Sequence, residues 1–434
     1  MSASVETIGQ LERRLNISLP PAEIDSEVEN RLKNLARKVK LDGFRPGKVP
    51  FKVVAQRYEE QVRREVLGDA LQKNFSDVVR TQNLKVAGYP RFEARADGAL
   101  EYSAIFEIYP EIKVGDLTAV QLQKWTTQVS AAEVEKTLEI MRRQRATFAP
   151  IARAATTGDR VTIDYIGRIE GQEFEGGRGS DVAIVLGEGR FLPDFEAQLK
   201  GLETGAAKTF EIRFPEDYHG KELSGKTATF EIKLKQIEEE KLPLVDAEFA
   251  RTLGIEDGDL DRMRNEIKAN LEREVKQRAV LRIKDQVMQA LLDHTEVTVP
   301  KSLVELEIEH LKTTTRHDLE ARGVKTAGLA LPQEVFETQA QRRVRLGMIL
   351  AEVVKTHGLQ AQPEQVRALA EERAQGYEQP EQVVQWIYQS PQRLRELESA
   401  AVENNIVEWA LRTARVEDKT VAFDELMGQG KLGK

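Results

Sequence analysis

Basic side chains crowd one short stretch of this chain. Between Arg31 and Arg57 lie nine basic residues, Arg31, Lys33, Arg37, Lys38, Lys40, Arg45, Lys48, Lys52 and Arg57, against one acid, Asp42. The local balance is therefore +8 within a chain of net charge −8. Lysine and arginine at this density neutralise phosphate. An acidic molecule as a whole attracts polyanions poorly, so a concentrated positive spot points to a specific anionic partner. Phe44 sets a large apolar ring in the middle of that spot. Residue types also exclude chemistry. There is no cysteine, which removes disulfides, thiolate metal sites and a cysteine nucleophile. His219, His294, His310, His317 and His357 show no paired ligand spacing, so no metal is expected. Gly187-Glu188-Gly189 precedes no Gly-Lys-Ser/Thr, so neither a nucleotide nor any other cofactor is expected.

The basic stretch needs a support. Ile24, Val28, Leu32, Leu35 and Val39 recur at spacings of 4, 4, 3 and 4, one apolar helix face. Val54, Tyr58, Val62, Leu67, Leu71, Phe75 and Val78 repeat the pattern after it. Pro50 suits the first turn of the second helix, and Gly43 and Gly47 supply the freedom that an abrupt reversal needs. The reading is a helix-loop-helix arm with Gly43-Phe44-Arg45-Pro46-Gly47-Lys48-Val49-Pro50 at its tip. Alternation through Leu11, Leu15, Ile17 and Leu19, and again from Leu100 to Tyr109, predicts strands beneath the two helices.

GFRPGKVP resembles the G-F-R-x-G-x-x-P signature of the trigger factor family of ribosome-docking chaperones. The resemblance implies that Gly43, Phe44, Arg45, Pro46, Gly47 and Lys48 contact the large ribosomal subunit at the exit site, through protein and rRNA. The place of Pro46 is commonly Lys in that family, so one phosphate-pairing charge is missing here.

A length of 434 residues predicts about three domains. Charged residues at 31% and apolar ones at 40% are a globular composition. No apolar run approaches a membrane span and the N-terminus carries no leader pattern, so a cytoplasmic protein with no membrane partner is expected. After the arm domain, residues 1–112, the segment 113–149 offers one extended piece from Val120 to Trp125 and one helix from Ala132 to Arg145. Neither has enough apolar surface to fold alone, so this connector must pack on the later helices.

Residues 150–245 read as a small antiparallel sheet covered by one helix. Val161 to Ile169 forms a strand, Glu170-Gly171-Gln172 a turn, and Val182 to Leu186, Phe210 to Phe214 and Ala228 to Ile237 further strands. The helix runs from Phe195 to Leu199. The pieces GDRVTIDYIGRIEGQEFE, VLGEGRFLPDFEAQLKGL, FPEDY and LSGKTATFEI resemble, in order and spacing, the FK506-binding-protein class of peptidyl-prolyl isomerases. That likeness implies a pocket of Tyr165, Phe174, Glu175, Phe191, Leu192, Phe195, Tyr218 and Phe230 as the catalytic set. Asp commonly stands where Glu175 stands and Gly where Asp194 stands. Phe195 replaces the Trp of many stand-alone relatives, as it does in trigger factors. Ile163, Leu186 and Ile232 read as plain core.

Residues 246–434 read as helical. Leu260, Met263, Ile267, Leu271, Val275, Ala279, Ile283 and Val287 mark one long helix, and Pro300, Pro332 and Pro363 each open another. Val383 to Tyr388 and Leu394 to Leu411 add two more. The closing RVEDKTVAFDELM resembles the C-terminal signature of the trigger factor family. Leu303, Ile308, Leu311, Leu319, Leu329, Met348, Ile349 and Trp386 are candidates either for core or for an open surface. The fold class is thus multidomain α+β: an α+β arm domain, a small antiparallel-sheet FKBP-like domain and an all-helical C-terminal domain. The family resemblance implies a chaperone that holds nascent and unfolded polypeptides and isomerises X-Pro bonds, and that forms a homodimer when free. The alternative is a stand-alone FKBP-type isomerase whose helices present substrates.

Overall fold

The structure, a computed structural model, describes residues 4–41, 44, 49–95, 100–218, 220, 222–377 and 379–428. Alternation builds β1 (Ser4–Thr7) and β2 (Glu12–Ser18), with Leu15 and Ile17 buried and Glu12 and Ser18 exposed. Pro20 ends the strand run and Pro21 opens α1 (Pro21–Ala36), because a fixed φ and a missing N–H suit a helix entrance. Ile24, Val28 and Leu32 bury one face. Pro50 caps α2 (Phe51–Thr81), which buries Val54, Val62, Val66, Leu71 and Phe75; Val66, not Leu67, lies fully inside. The strands β3 (Val86–Ala94) and β4 (Glu101–Ile108) complete an antiparallel sheet of order β1-β2-β4-β3. Phe75 meets Phe92 and Phe106 edge-on across 6.1 and 5.1 Å, which joins helix to sheet. Sequence alternation does not reveal β3, since Gly88-Tyr89-Pro90 bulges out between its paired residues Ala87 and Arg91. Of the arm tip, Phe44 is described and exposed, while Gly43, Arg45, Pro46, Gly47 and Lys48 lie outside the described residues.

The chain continues through β5 (Gln121–Thr126) into α3 (Ala131–Gln144), whose Ser130 and Glu133 form a capping box. Then come β6 (Thr147–Pro150), β7 (Arg160–Ile169), β8 (Gln172–Val185), α4 (Pro193–Leu199), β9 (Ala207–Arg213) and β10 (Thr227–Lys241). They form a five-stranded antiparallel sheet of order β6-β10-β7-β8, with β9 also on β10. Glu170 and Gly171, at φ 49° and 82°, make the tight turn between β7 and β8. The sequence reading puts Gln172 in the turn and begins a strand only at Val182. One bent strand runs from Gln172 to Val185 instead, because register shifts against β7 absorb the glycine-rich middle. A further shift, between β10 and β7 after Leu234, keeps both Leu234 and Ile237 inside and sends Lys235 outward, 2.7 Å from Asp164 and from Asp181.

At the base of this sheet the Arg153 guanidinium bonds the buried Asp159 carboxylate at 2.6 and 2.9 Å and reaches Glu239 at 3.1 Å. Burial by itself raises the Asp159 pKa. The bonds from Arg153 and from the Thr156 N–H and hydroxyl outweigh it and hold the carboxyl below its ordinary value.

The remaining elements are α5 (Ala247–Thr252), α6 (Leu260–His294), α7 (Lys301–Ala321), α8 (Gln333–His357), α9 (Pro363–Ala374), α10 (Pro380–Tyr388), α11 (Pro391–Thr413), β11 (Arg415–Thr420) and α12 (Phe423–Met427). The helical reading of this part gains one strand, since β11 pairs with β5. Periodicity gives no sign of it because all six of its residues are exposed.

By its contacts the chain forms two units, Met1–Trp125 with Val280–Lys419, and Thr126–Ala279 with Thr420–Lys434. In the first, Leu117 and Leu122 join Ile283, Val287, Ile349, Val353 and Ile406 in one core. The same unit joins sheet to helix at Glu107, whose carboxylate accepts from the N–H groups of Lys301 and Ser302 at 3.1 and 2.7 Å. It thereby caps α7, which Pro300 cannot do. Gly88, at φ 72°, admits Ser302 where a Cβ would stand 2.6 Å from the serine Cβ. In the second unit Val134 and Leu138 of α3 pack with Phe249, Met263, Ile267 and Leu271. Among the described residues no helix is long and apolar enough to cross a membrane.

Candidate functional site

All eight side chains of the expected aromatic pocket line one cavity of about 730 Å³ in the five-stranded domain. Strands position four of them: Tyr165 stands on β7, Phe174 and Glu175 on β8, and Phe230 on β10. Leu192 and Phe195 come from the start of α4, where Pro193 at the first helical position fixes the entry. Phe195 is the hub, only 2% exposed. Its ring stacks on Phe191 at 5.1 Å and meets Phe230, Phe210 and Tyr165 at steep angles across 5.2, 5.5 and 6.1 Å. Phe230 in turn meets Phe174 edge-on at 6.1 Å. Such a set of mutually inclined rings holds each one in place.

Glycine makes the close approach feasible. A Cβ on Gly167 would stand 2.6 Å from the Phe230 ring and 3.0 Å from that of Phe174; one on Gly179 would stand 2.5 Å from the Tyr165 ring. The Tyr165 hydroxyl donates to the Gly176 carbonyl at 3.4 Å. Among the described residues no hydrogen bond ends on the Leu192 N–H. Among the described residues, Arg190, Glu175 and Glu222 are the charged residues of the lining, and all three are exposed. Ile163, Leu186 and Ile232 are buried and stay out of the lining.

The lining also includes Phe214, Pro193 and Leu223, which lie within the quoted motifs but outside the expected catalytic set. Phe214 lies 4.8 Å from the Tyr218 ring. Its position three residues before Asp217-Tyr218, at the end of an alternating strand, is the signal that would have found it. The whole arrangement is an apolar box with hydroxyls and backbone donors at its margin, suited to taking in a ring and a planar amide.

A different apolar area lies on the helical part. Tyr377, Gln379, Gln382, Val383 and Trp386 line an open hollow. Trp386 is 55% exposed and carries the Arg393 guanidinium over its ring at 3.3 Å. Of the eight residues expected to be core or open surface, Ile308, Leu311, Met348 and Ile349 are buried, Leu303 and Leu319 half-buried, and Leu329 and Trp386 exposed.

Comparison with known proteins gives three family matches. The family "Bacterial trigger factor protein (TF)" matches residues 1–141, its C-terminal counterpart matches 259–412, and "FKBP-type peptidyl-prolyl cis-trans isomerase" matches 152–235. The trigger factor of Nitrosospira multiformis is 53% identical over 434 residues, 99% of this chain and 100% of that protein. That of Aromatoleum aromaticum is 51% identical over 99% of each. A solved structure described as "Promiscuous Substrate Recognition in Folding and Assembly Activities of the Trigger Factor Chaperone" is similar at 18% identity and a TM-score of 0.47, over 95% of this chain and 99% of that one.

Proposed function

The chain belongs to the trigger factor family, and on that premise we propose how its parts divide the work of a chaperone that carries an FKBP-type prolyl isomerase domain. Residues 1–112 dock on the ribosome through Gly43, Phe44, Arg45, Pro46, Gly47 and Lys48. Residues 150–245 isomerise X-Pro bonds. Residues 246–434, with the connector 113–149, hold nascent and unfolded chains in the cytoplasm, and the free protein pairs with a second copy. Release of a client needs no nucleotide, because the contacts that hold it are weak and distributed.

The convergence of Tyr165, Phe174, Glu175, Phe191, Leu192, Phe195, Tyr218 and Phe230 on one cavity supports the catalytic assignment most directly. An X-Pro bond turns over a barrier of about 18–20 kcal/mol set by amide resonance. At the top of that barrier the amide is twisted, its conjugation broken and its carbonyl less polar. Water solvates the planar ground state better than the twisted one. An apolar box that replaces water therefore favours the twisted state selectively. No nucleophile takes part and no bond is broken. Phe195 and Phe230 receive the proline ring, while the Leu192 N–H and the Tyr218 hydroxyl hold the substrate backbone and keep the rotation in one frame.

Two assays test this division. Tyr218→Phe removes a hydroxyl and little volume; it is expected to lower kcat/KM on a short X-Pro peptide several-fold while aggregation suppression of a proline-independent client persists. Simultaneous loss of both activities would contradict separate sites. In co-sedimentation, Phe44→Ala, Arg45→Ala and Lys48→Ala together are expected to abolish pelleting with ribosomes at moderate salt. Pelleting at the wild-type level would end the docking assignment.

A further inference from the structure

One carboxylate beneath the pocket has no part in rotating an amide. Glu196, in the first turns of α4, is 4% exposed, and glutamate is rarely so buried without partners. Its partners are backbone groups of the loop just before it. Oε2 accepts from the Gly187 N–H at 2.8 Å and Oε1 from the Phe191 N–H at 3.4 Å. The Glu196 N–H also donates to the Leu192 carbonyl at 3.1 Å. One residue therefore clasps both ends of the segment 187–192, which brings Phe191 and Leu192 to the cavity.

That segment needs a clasp. Gly187 and Gly189 hold φ of 102° and 71°, and a run with two such glycines has much backbone freedom to lose on ordering. An ionised carboxylate accepts at both oxygens, whereas an amide of the same size has one acceptor and turns its NH₂ donor towards the other N–H. Two acceptor oxygens thus match two converging donors, the Gly187 bond at 2.8 Å being the short, strong one and the Phe191 bond at 3.4 Å the longer.

We propose that Glu196 is a positioning residue for X-Pro isomerisation: it fixes the 187–192 segment so that the Phe191 ring stays stacked on Phe195 and the Leu192 N–H keeps its place at the cavity. This rests on the isomerase reading of the pocket. It assigns Glu196 no contact with substrate.

The test uses the full-length chain, a short X-Pro peptide assay and amide hydrogen exchange. Glu196→Gln is expected to lower kcat/KM about tenfold, mostly through kcat, and to speed exchange at Gly187 and Phe191 at least tenfold with β7 and β10 amides unchanged. Ile184→Val, a core change outside the lining, is the comparison for stability alone and is expected to keep near wild-type kcat. Equal kcat losses in the two variants, or a Glu196→Gln chain as active as wild type, would overturn the proposal while leaving the isomerase reading intact. An inactive wild type would overturn that reading and this inference together. If Glu196→Gln fails to fold, wild-type exchange decides. Protection of Gly187 and Phe191 well above Gly189 and Arg190 is expected, and equal exchange at all four would overturn the clasp.

Discussion

Phe195 and Trp386 are both aromatic residues on helices flanked by further aromatics, yet one is 2% exposed and the other 55%. Phe195 meets rings from three strands, Tyr165 of β7, Phe210 of β9 and Phe230 of β10, and stacks on Phe191. Trp386 sits on a small core of Val366, Ala370, Ile387, Leu397 and Ala401, which is covered by its own helices and leaves the indole outside. The difference lies in how much freedom each site has left. Rings locked against one another are ordered before a substrate arrives, so binding costs little and one geometry is favoured. An open indole with an arginine on its face and Tyr377, 62% exposed, beside it has no ring of neighbours to impose one shape. The first arrangement suits catalysis of a single kind of bond, and the second suits holding chains of varied sequence.

The strongest way to break this comparison is to empty the closed site. Phe195→Ala is expected to cost about 3–5 kcal/mol in the isomerase domain and to remove peptide isomerase activity, measured by denaturant titration and the peptide assay. A cost below about 1 kcal/mol would mean that the rings are not mutually locked. Next is the floor of the open site: Ile387→Ala should destabilise the core shared by α9, α10 and α11 by about 2–4 kcal/mol, seen as faster amide exchange there, with isomerase activity unchanged.

The closed site also rests on an ion pair that can be titrated away. Asp159 has a folded pKa below its unfolded one, so its contribution is full above the unfolded value and is lost as pH falls through the folded value. Asp159→Asn is expected to cost about 2 kcal/mol at neutral pH, a gap that closes as pH drops below about 4. A gap unchanged by pH would show that the charge is irrelevant. The smallest effect on stability is expected at the open site itself. Trp386→Ala should cost less than about 1 kcal/mol, yet weaken aggregation suppression of an unfolded client about twofold. Unchanged suppression would remove the functional half of the comparison.

Much of this was legible in residue order because it is local. Helix faces such as Ile24, Val28 and Leu32 follow from 3.6-residue periodicity, and the strand carrying Val161, Ile163 and Tyr165 follows from alternation. The pocket residues were legible because their motifs are separate and ordered. The strands β3, β6 and β11 were not: one is interrupted by Gly88 and Pro90, one is four residues long, and one has no buried side chain. Glu196 was hidden because an acidic residue in a first helical turn reads as a surface group.

By itself the sequence determined most element types, the family and the concentration of basic residues in the arm, since each depends on residue identity or near-neighbour spacing. Tertiary structure alone decided which apolar residues are core. Ile308 and Trp386 look alike as periodic positions, but only the former has a partner helix over it. It also decided that the connector divides, with Leu117 and Leu122 in one unit's core and Val134 and Leu138 in the other's. The physical reason is that burial is a property of pairs of surfaces, and the second surface lies elsewhere in the chain, more than a hundred residues away in the case of the connector.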